Sequence, residues 1–127
     1  MKTAQKLIEI ESLIENLLKK SAKGGLLKYK VLAFASLYEN LSVSMIIEKL
    51  GIKKSNFALL SAELEREGLL EIKHAEIDRR CRFLKLTEEG RRELDSYFAS
   101  VESFLGQTDL DTDNAIDILN NYLNKRI

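Results

Sequence analysis

The feature that most constrains this chain is the run from Leu69 to Gly90, which holds two apolar stretches on either side of a short basic turn. Residues 70–74 and 81–86 are short runs in which apolar side chains are interrupted by charged ones, a pattern that favours strands. Thr87 has the features of a helix N-cap, because two glutamates follow it. The sequence therefore predicts a β-hairpin that leads directly into a helix and carries three charged residues at its tip: Asp78, Arg79 and Arg80.

Most of the remaining chain has the apolar spacing of amphipathic helices. Ser42 and Ser55 are the expected N-caps of the third and fourth helices, which Gly51 and Gly68 end. Two short helices on either side of a glycine have the spacing of a helix-turn-helix. With the hairpin that follows, the pattern predicts a mainly α fold with a small β wing, a winged helix-turn-helix. The expected helices cover residues 4–22, 27–39, 43–50, 56–67, a long stretch after Thr87, and 112–125, with a linker at 106–111.

Composition narrows the class of protein. A chain of 127 residues with 45% hydrophobic and 31% charged residues is expected to form one globular domain. One cysteine and one histidine exclude an internal disulfide and a cysteine-rich zinc site, so no metal or cofactor is expected. No phosphate loop or Ser-His-Asp arrangement is visible, so an enzyme is not expected. Without a long apolar run or a secretory leader, we expect a cytoplasmic protein.

Charge is distributed unevenly along the chain, although the net charge is zero. Residues 1–86 carry 16 Lys and Arg against 11 Asp and Glu, a balance of +5, whereas residues 87–127 carry 4 against 9, a balance of −5. The local field matters more than the total charge when a protein docks on a polyanion. The first two thirds are therefore expected to face nucleic acid, and the acidic tail either points away from it or restrains non-specific binding.

Several segments together resemble the MarR family of winged-helix transcription regulators. The length of the chain is similar to that of the Sar-like sub-family. The resemblance covers residues 26–90. The most specific part is Asp-Arg-Arg at 78–80 followed by Leu-Lys-Leu-Thr-Glu-Glu-Gly at 84–90. Leu-Gly-Ile at 50–52 and Leu-Glu-Arg-Glu-Gly-Leu at 64–69 also fit, as does Leu-Ser at 41–42.

The resemblance implies a DNA-binding homodimer that regulates transcription, for example as a repressor. Residues 1–25 and 91–127 would form the dimer lobe, and residues 26–90 the DNA-binding unit. The fourth helix would lie in the major groove of double-stranded DNA, and the wing would reach the minor groove. Arg80 matches the wing arginine of the family, and Asp78 matches the acid that orients it.

The residue types around this frame suggest further DNA contacts. N-terminal residues of a recognition helix contact base edges and phosphates, which points to four neighbours: Lys53, Lys54, Ser55 and Asn56. Arg79, Lys73 and Arg82 increase the positive charge of the wing, while Lys28 and Ser42 are placed to contact the DNA backbone. For each of these residues, a solvated surface charge or a simple helix cap is the alternative interpretation.

Other features leave alternatives open. Ala58 and Leu59, if they face outward, could touch thymine methyl groups, or Leu59 is simply an exposed apolar residue. Together with Glu63 they make the fourth helix weakly basic, which is compatible with a protein-interaction module or an architectural DNA binder of little specificity. Cys81 is interpreted either as an oxidation sensor or as a small buried strand residue, and the second interpretation is preferred. An aromatic set either lines a site for a small-molecule effector or belongs to the core: Tyr29, Phe34 and Tyr38.

Overall fold

The protein is described by a computed structural model that covers residues 2–105 and 111–123, and these ranges hold six helices and one two-stranded sheet. The mainly α fold with a single hairpin confirms the predicted fold class. The expected linker at 106–111 and the end of the last expected helix lie largely outside the described residues. In chain order the elements are α1 (Lys2–Lys19), α2 (Leu26–Leu37), α3 (Val43–Leu50), α4 (Lys54–Arg66), β1 (Leu70–His74), β2 (Arg82–Leu86), α5 (Glu88–Leu105) and α6 (Thr112–Leu123).

The helix-turn-helix forms from local capping signals, and the structure confirms those of α3 but not the one predicted for α4. Ser42 caps α3 as predicted, since its hydroxyl accepts a hydrogen bond from the Met45 amide at 3.4 Å. Gly51 takes a left-handed conformation with φ of 67° and ends α3. The prediction that Ser55 caps α4 is wrong. The helix begins at Lys54, with Lys53 in the cap position and no side-chain cap hydrogen bond, so Ser55 lies within the first turn.

The two strands form an antiparallel hairpin whose register runs from Leu70 opposite Leu86 to His74 opposite Arg82. Leu70 and Leu84 are buried, whereas the charged residues between the apolar positions are exposed. An isolated bridge joins Ser42 to Phe83, so the start of α3 is attached to the second strand. This bridge fixes the wing beside the helix-turn-helix.

A tight junction joins the hairpin to α5. The Thr87 hydroxyl donates to the Gly68 carbonyl at 2.5 Å and accepts from the Gly90 amide at 2.9 Å, so it both caps α5 and attaches it to the turn after α4. Gly90 is buried where the first turn of α5 packs against the backbone at Leu69. The N-cap predicted at Thr87 is therefore confirmed.

The buried core residues of the described ranges belong to the part of the chain that runs from α2 to α5. This core joins the helix-turn-helix to the wing. Its largest fully buried side chains come from every element in that part of the chain: Val31, Leu32, Ile46, Leu64, Leu70, Leu84 and Leu94. Because α3, α4 and the hairpin share this core, the positions of the wing and of α4 are fixed relative to each other.

The first and last helices differ from the rest because they bury almost nothing. None of the residues of α1 is buried, and a large part of its apolar side chains is exposed together with those of α6. A groove of about 560 Å³ lies between these two helices and the start of α2, lined by Leu7, Ile10, Ile14, Leu18, Leu26 and Leu119 together with Glu11, Glu15 and Lys30. No helix in the ranges that the structure describes is long and apolar enough to cross a membrane.

Candidate nucleic-acid interface

The tip of the hairpin presents one arginine in a defined orientation. The Asp78 carboxylate accepts hydrogen bonds from three nitrogens of Arg80, namely the backbone N at 3.0 Å, Nε at 3.1 Å and Nη2 at 3.3 Å. These bonds hold the pKa of Asp78 below its usual value. The Arg80 side chain is nevertheless 92% exposed. The ion pair inferred for these two residues is therefore present, and it orients the guanidinium without burying it.

Further bonds close the hairpin behind this arginine. The His74 ring donates through Nδ1 to the Arg79 carbonyl at 2.8 Å, and the Cys81 amide donates to the Asp78 carbonyl at 3.0 Å. Ile77, which is not among the predicted site residues, is fully exposed at the tip. The signal was an apolar residue inside a charged turn, where no packing partner is expected. The tip thus presents Arg79, Arg80 and Ile77 to solvent.

A groove of about 230 Å³ lies between the wing, α3 and the start of α4. It brings together residues that are up to 40 positions apart in the sequence, several of which were predicted as DNA contacts. Three cationic side chains line it, and no carboxylate does so among the described residues. Its lining consists of Ser42, Val43, Ser44, Ile47, Lys54, Arg80, Cys81 and Arg82.

The start of α4 borders the same surface. Four consecutive side chains are exposed there: Lys53, Lys54, Ser55 and Asn56. The helix is held by Phe57, Ser61 and Leu64, which are buried against the core. Two lysines beside unpaired amides of the first helical turn make this end of α4 positive.

Two predicted DNA contacts lie elsewhere. The Lys28 side chain is only 16% exposed, and its ammonium pairs with Glu93 at 3.2 Å and with Glu67, at the C-terminal end of α4, at 4.0 Å. Lys73 pairs with Glu71 at 3.1 Å and lines a different cleft, between α2, β2 and α5. Both lysines are thus paired with carboxylates of this chain and do not line the groove at the wing. The partners of Lys28 are 39 and 65 residues away, so the sequence alone gave no sign of them.

The Lys28 ion pair belongs to a cluster that joins α2 to α5. The Tyr29 hydroxyl donates to Glu93 at 3.0 Å, and its ring stacks on Tyr97 with centroids 4.2 Å apart. Burial and the neighbouring carboxylate raise the pKa of Tyr29 to about 12, while the bonds from Lys28 and Tyr29 lower the pKa of Glu93. Tyr29 is therefore a core residue, as the alternative interpretation of the aromatic set held.

The position of Cys81 contradicts the preferred interpretation, a small buried strand residue. It precedes β2 and is exposed, rather than buried within a strand. The second strand begins at Arg82, one residue later than predicted, and the thiol of Cys81 lines the groove together with Arg80 and Arg82. In the described ranges, no group of three or more His, Cys, Asp and Glu side chains is placed to hold a metal ion.

The arrangement of a helix-turn-helix, a wing and two outer helices recurs in solved structures. CouR from Rhodococcus jostii RHA1 bound to p-coumaroyl-CoA is 24% identical over 92% of this chain and 85% of that chain, with a TM-score of 0.69. Reduced AbfR bound to DNA is 18% identical over 96% and 88%, with a TM-score of 0.71. A protein from Bacillus cereus ATCC 10987, described as a MarR-like transcription regulator, is 17% identical over 95% and 93%, with a TM-score of 0.65.

This chain has the fold of MarR-like transcription regulators. No family model matches it, and no curated protein matches it significantly. The fold expected from the resemblance is thus confirmed. At these identities the similarity concerns the fold alone.

Proposed function

We propose that this protein is a transcription regulator that binds double-stranded DNA as a homodimer, with α4 in the major groove and the wing in the minor groove. The observation that carries the proposal is the cationic groove between the two elements, into which Lys54, Arg80 and Arg82 project from different parts of the chain. Phosphate is the ligand that such a groove fits best, because its lining also offers the hydroxyls of Ser42 and Ser44.

The wing supports this orientation. The negative potential of DNA is strongest in a narrow minor groove, which attracts arginine side chains. An arginine held by a neighbouring carboxylate loses less conformational freedom on binding than a free one. The bonds from Arg80 to Asp78 therefore suit an arginine that enters a groove, and the similar fold of AbfR was solved bound to DNA.

The outer helices support the homodimer. Exposed apolar residues are concentrated on α1 and α6, and scattered single residues would not explain their number: Leu7, Ile8, Ile10, Leu13, Ile14, Ile116, Ile118, Leu119 and Leu123. Covering such a surface with a second copy would place two DNA-binding units side by side. Two-fold symmetry then implies a near-palindromic site with half-sites about one helical turn, ~10 bp, apart.

The direct test is recovery of bound fragments from the genomic DNA of the source organism at ~0.15 M salt, where non-specific phosphate binding is weak. A shared near-palindromic site would support the proposal. Enrichment of AT-rich fragments without a common site would point instead to an architectural DNA binder. Recovery of no DNA, together with a stable complex with another protein, would replace the proposal with an interaction module.

Substitution of Arg80 by alanine is expected to weaken binding to the recovered site about 10-fold or more and to reduce the salt dependence by about one unit per protomer. Arg80→Lys keeps the charge but loses the two guanidinium nitrogens that bond to Asp78, so it should keep the salt dependence and lose part of the affinity. Titrations at several salt concentrations measure both quantities. Arg92→Ala, an exposed arginine on α5, is the control. Equal affinities for the wild type and Arg80→Ala would remove the wing from the interface.

The single cysteine provides a test that needs no substitution. Because Cys81 is exposed in the groove, a maleimide should label it readily in the free protein and about 10-fold or more slowly when site-bearing DNA covers the groove, since reaction requires access to the thiol. Labelling is followed by mass spectrometry. A duplex of unrelated sequence at the same concentration is the control. Equal labelling rates with and without the bound duplex would show that DNA lies elsewhere.

A further inference from the structure

The outward face of α4 is apolar at its centre. Residues on one line along a helix recur at intervals of three and four, and the line farthest from the core begins at Ser55 and ends at Arg66. Between these two polar ends it contains only Leu59 and Ala62, and both are exposed. The buried side of the helix, formed by Phe57, Ser61 and Leu64, lies opposite.

Leu59 is the most prominent of these side chains. It is 74% exposed, whereas the two alanines beside it, Ala58 and Ala62, are exposed but short. Neither leucine nor alanine has a side-chain donor or acceptor, so these three positions cannot recognise a base by hydrogen bonds. Any selectivity that they provide must come from apolar contact and from shape, and the exposed Glu63 beside them offers only hydrogen-bond acceptors.

The major groove offers one prominent apolar group, the C5-methyl of thymine. We propose that Leu59 recognises thymine in the middle of each half-site by packing on this methyl group, while Ala58 and Ala62 let the helix approach the base edges closely. This inference rests on the proposed function and adds the base that α4 selects. It also explains why apolar side chains occupy the outward-facing centre of α4, since a methyl group is recognised by apolar contact.

The surroundings of Leu59 favour DNA over an apolar protein partner. Lys54, five residues before Leu59 on α4, lines the groove together with Arg80 and Arg82. An apolar side chain on the helix that borders a cationic groove matches a surface that is anionic along its edges and carries methyl groups in its floor. A hydrophobic protein interface is instead depleted of charge at its centre.

The test compares thymine with uracil, which differ only by the C5-methyl and pair with adenine alike. Two fluorescein-labelled duplexes carry the site recovered from genomic DNA, one with thymine and one with 2′-deoxyuridine at the central thymine position of each half-site. The wild type should bind the uracil duplex about 4-fold more weakly for each methyl contacted, since each buried methyl contributes roughly 0.8 kcal/mol. Leu59→Ala should bind both duplexes equally, because it lacks the side chain that packs on the methyl.

Leu37→Ala is the matched control, because Leu37 is a similarly exposed leucine on α2 instead of α4 and should leave the preference for thymine intact. Equal binding of the two duplexes by the wild type would overturn the inference and leave the proposed function standing. A Leu59→Ala variant that still prefers thymine, or a site without thymine in its half-sites, would also overturn it. Failure to bind either duplex would overturn both proposals.

Discussion

Replacement of Gly90 by alanine is expected to destabilise the protein by about 2 to 3 kcal/mol, although alanine normally stabilises a helix relative to glycine. A Cβ at this position would collide with the Leu69 carbonyl oxygen and would lie 3.0 Å from the Leu69 carbonyl carbon. Both are backbone atoms, so no flexible side chain can move aside. Separation of α5 from this turn would also stretch the hydrogen bond from Thr87 to Gly68. A cost of this size would lower the melting temperature by roughly 10 °C.

The control for this prediction compares alanine with glycine at an exposed position of the same helix, where the added methyl group meets no backbone. Ser96 is exposed on α5, so Ser96→Ala should be more stable than Ser96→Gly by about 1 kcal/mol, the opposite order. Denaturant titrations of the three variants, each compared with the wild type, measure these differences. If Gly90→Ala were as stable as the wild type, the close packing of α5 on the turn after α4 would be wrong.

The elements that the sequence predicted well depend on neighbours along the chain. The cap at Ser42, the left-handed turn at Gly51 and the bonds between Asp78 and Arg80 all join residues at most four positions apart. Such interactions form wherever the local chain permits them, so residue type and spacing suffice to predict them. The hairpin and the helix-turn-helix followed from the same local information.

The parts of the site that could not be predicted depend on contacts between distant parts of the chain. Nothing near Lys28 in the sequence indicates that Glu67 and Glu93 compensate its charge, because the packing of α2 against α4 and α5 brings them together. Cys81 was assigned to a strand because a hairpin can close at more than one residue with the same pattern. The outward position of Leu59 also required the structure, since the other face of α4 had first to be assigned to the core.

Introduction of two carboxylates between the outer helices is expected to have the largest effect on DNA binding. Ile10 and Ile14 line the apolar groove between α1 and α6 and are 49% and 51% exposed in one copy of the chain. The variant Ile10→Asp/Ile14→Asp should therefore still fold, because its new charges remain accessible to water in the single copy. In the proposed dimer four unpaired carboxylates would be buried, at a cost of several kcal/mol. Sedimentation should give a mass near that of one 14.5 kDa chain instead of two.

Loss of the dimer should weaken binding to a full palindromic site about 100-fold or more, because the second half-site then no longer binds at a high effective concentration. Binding to a duplex with a single half-site should be unchanged, since α4 and the wing share a core to which neither substituted residue belongs. Leu37→Asp places the same charge on an exposed leucine outside α1 and α6 and should remain dimeric. A doubly substituted protein that kept both the dimer mass and the full-site affinity would show that the apolar surface of the outer helices serves another partner. Loss of half-site binding as well would show that the substitutions damage the DNA-binding unit itself.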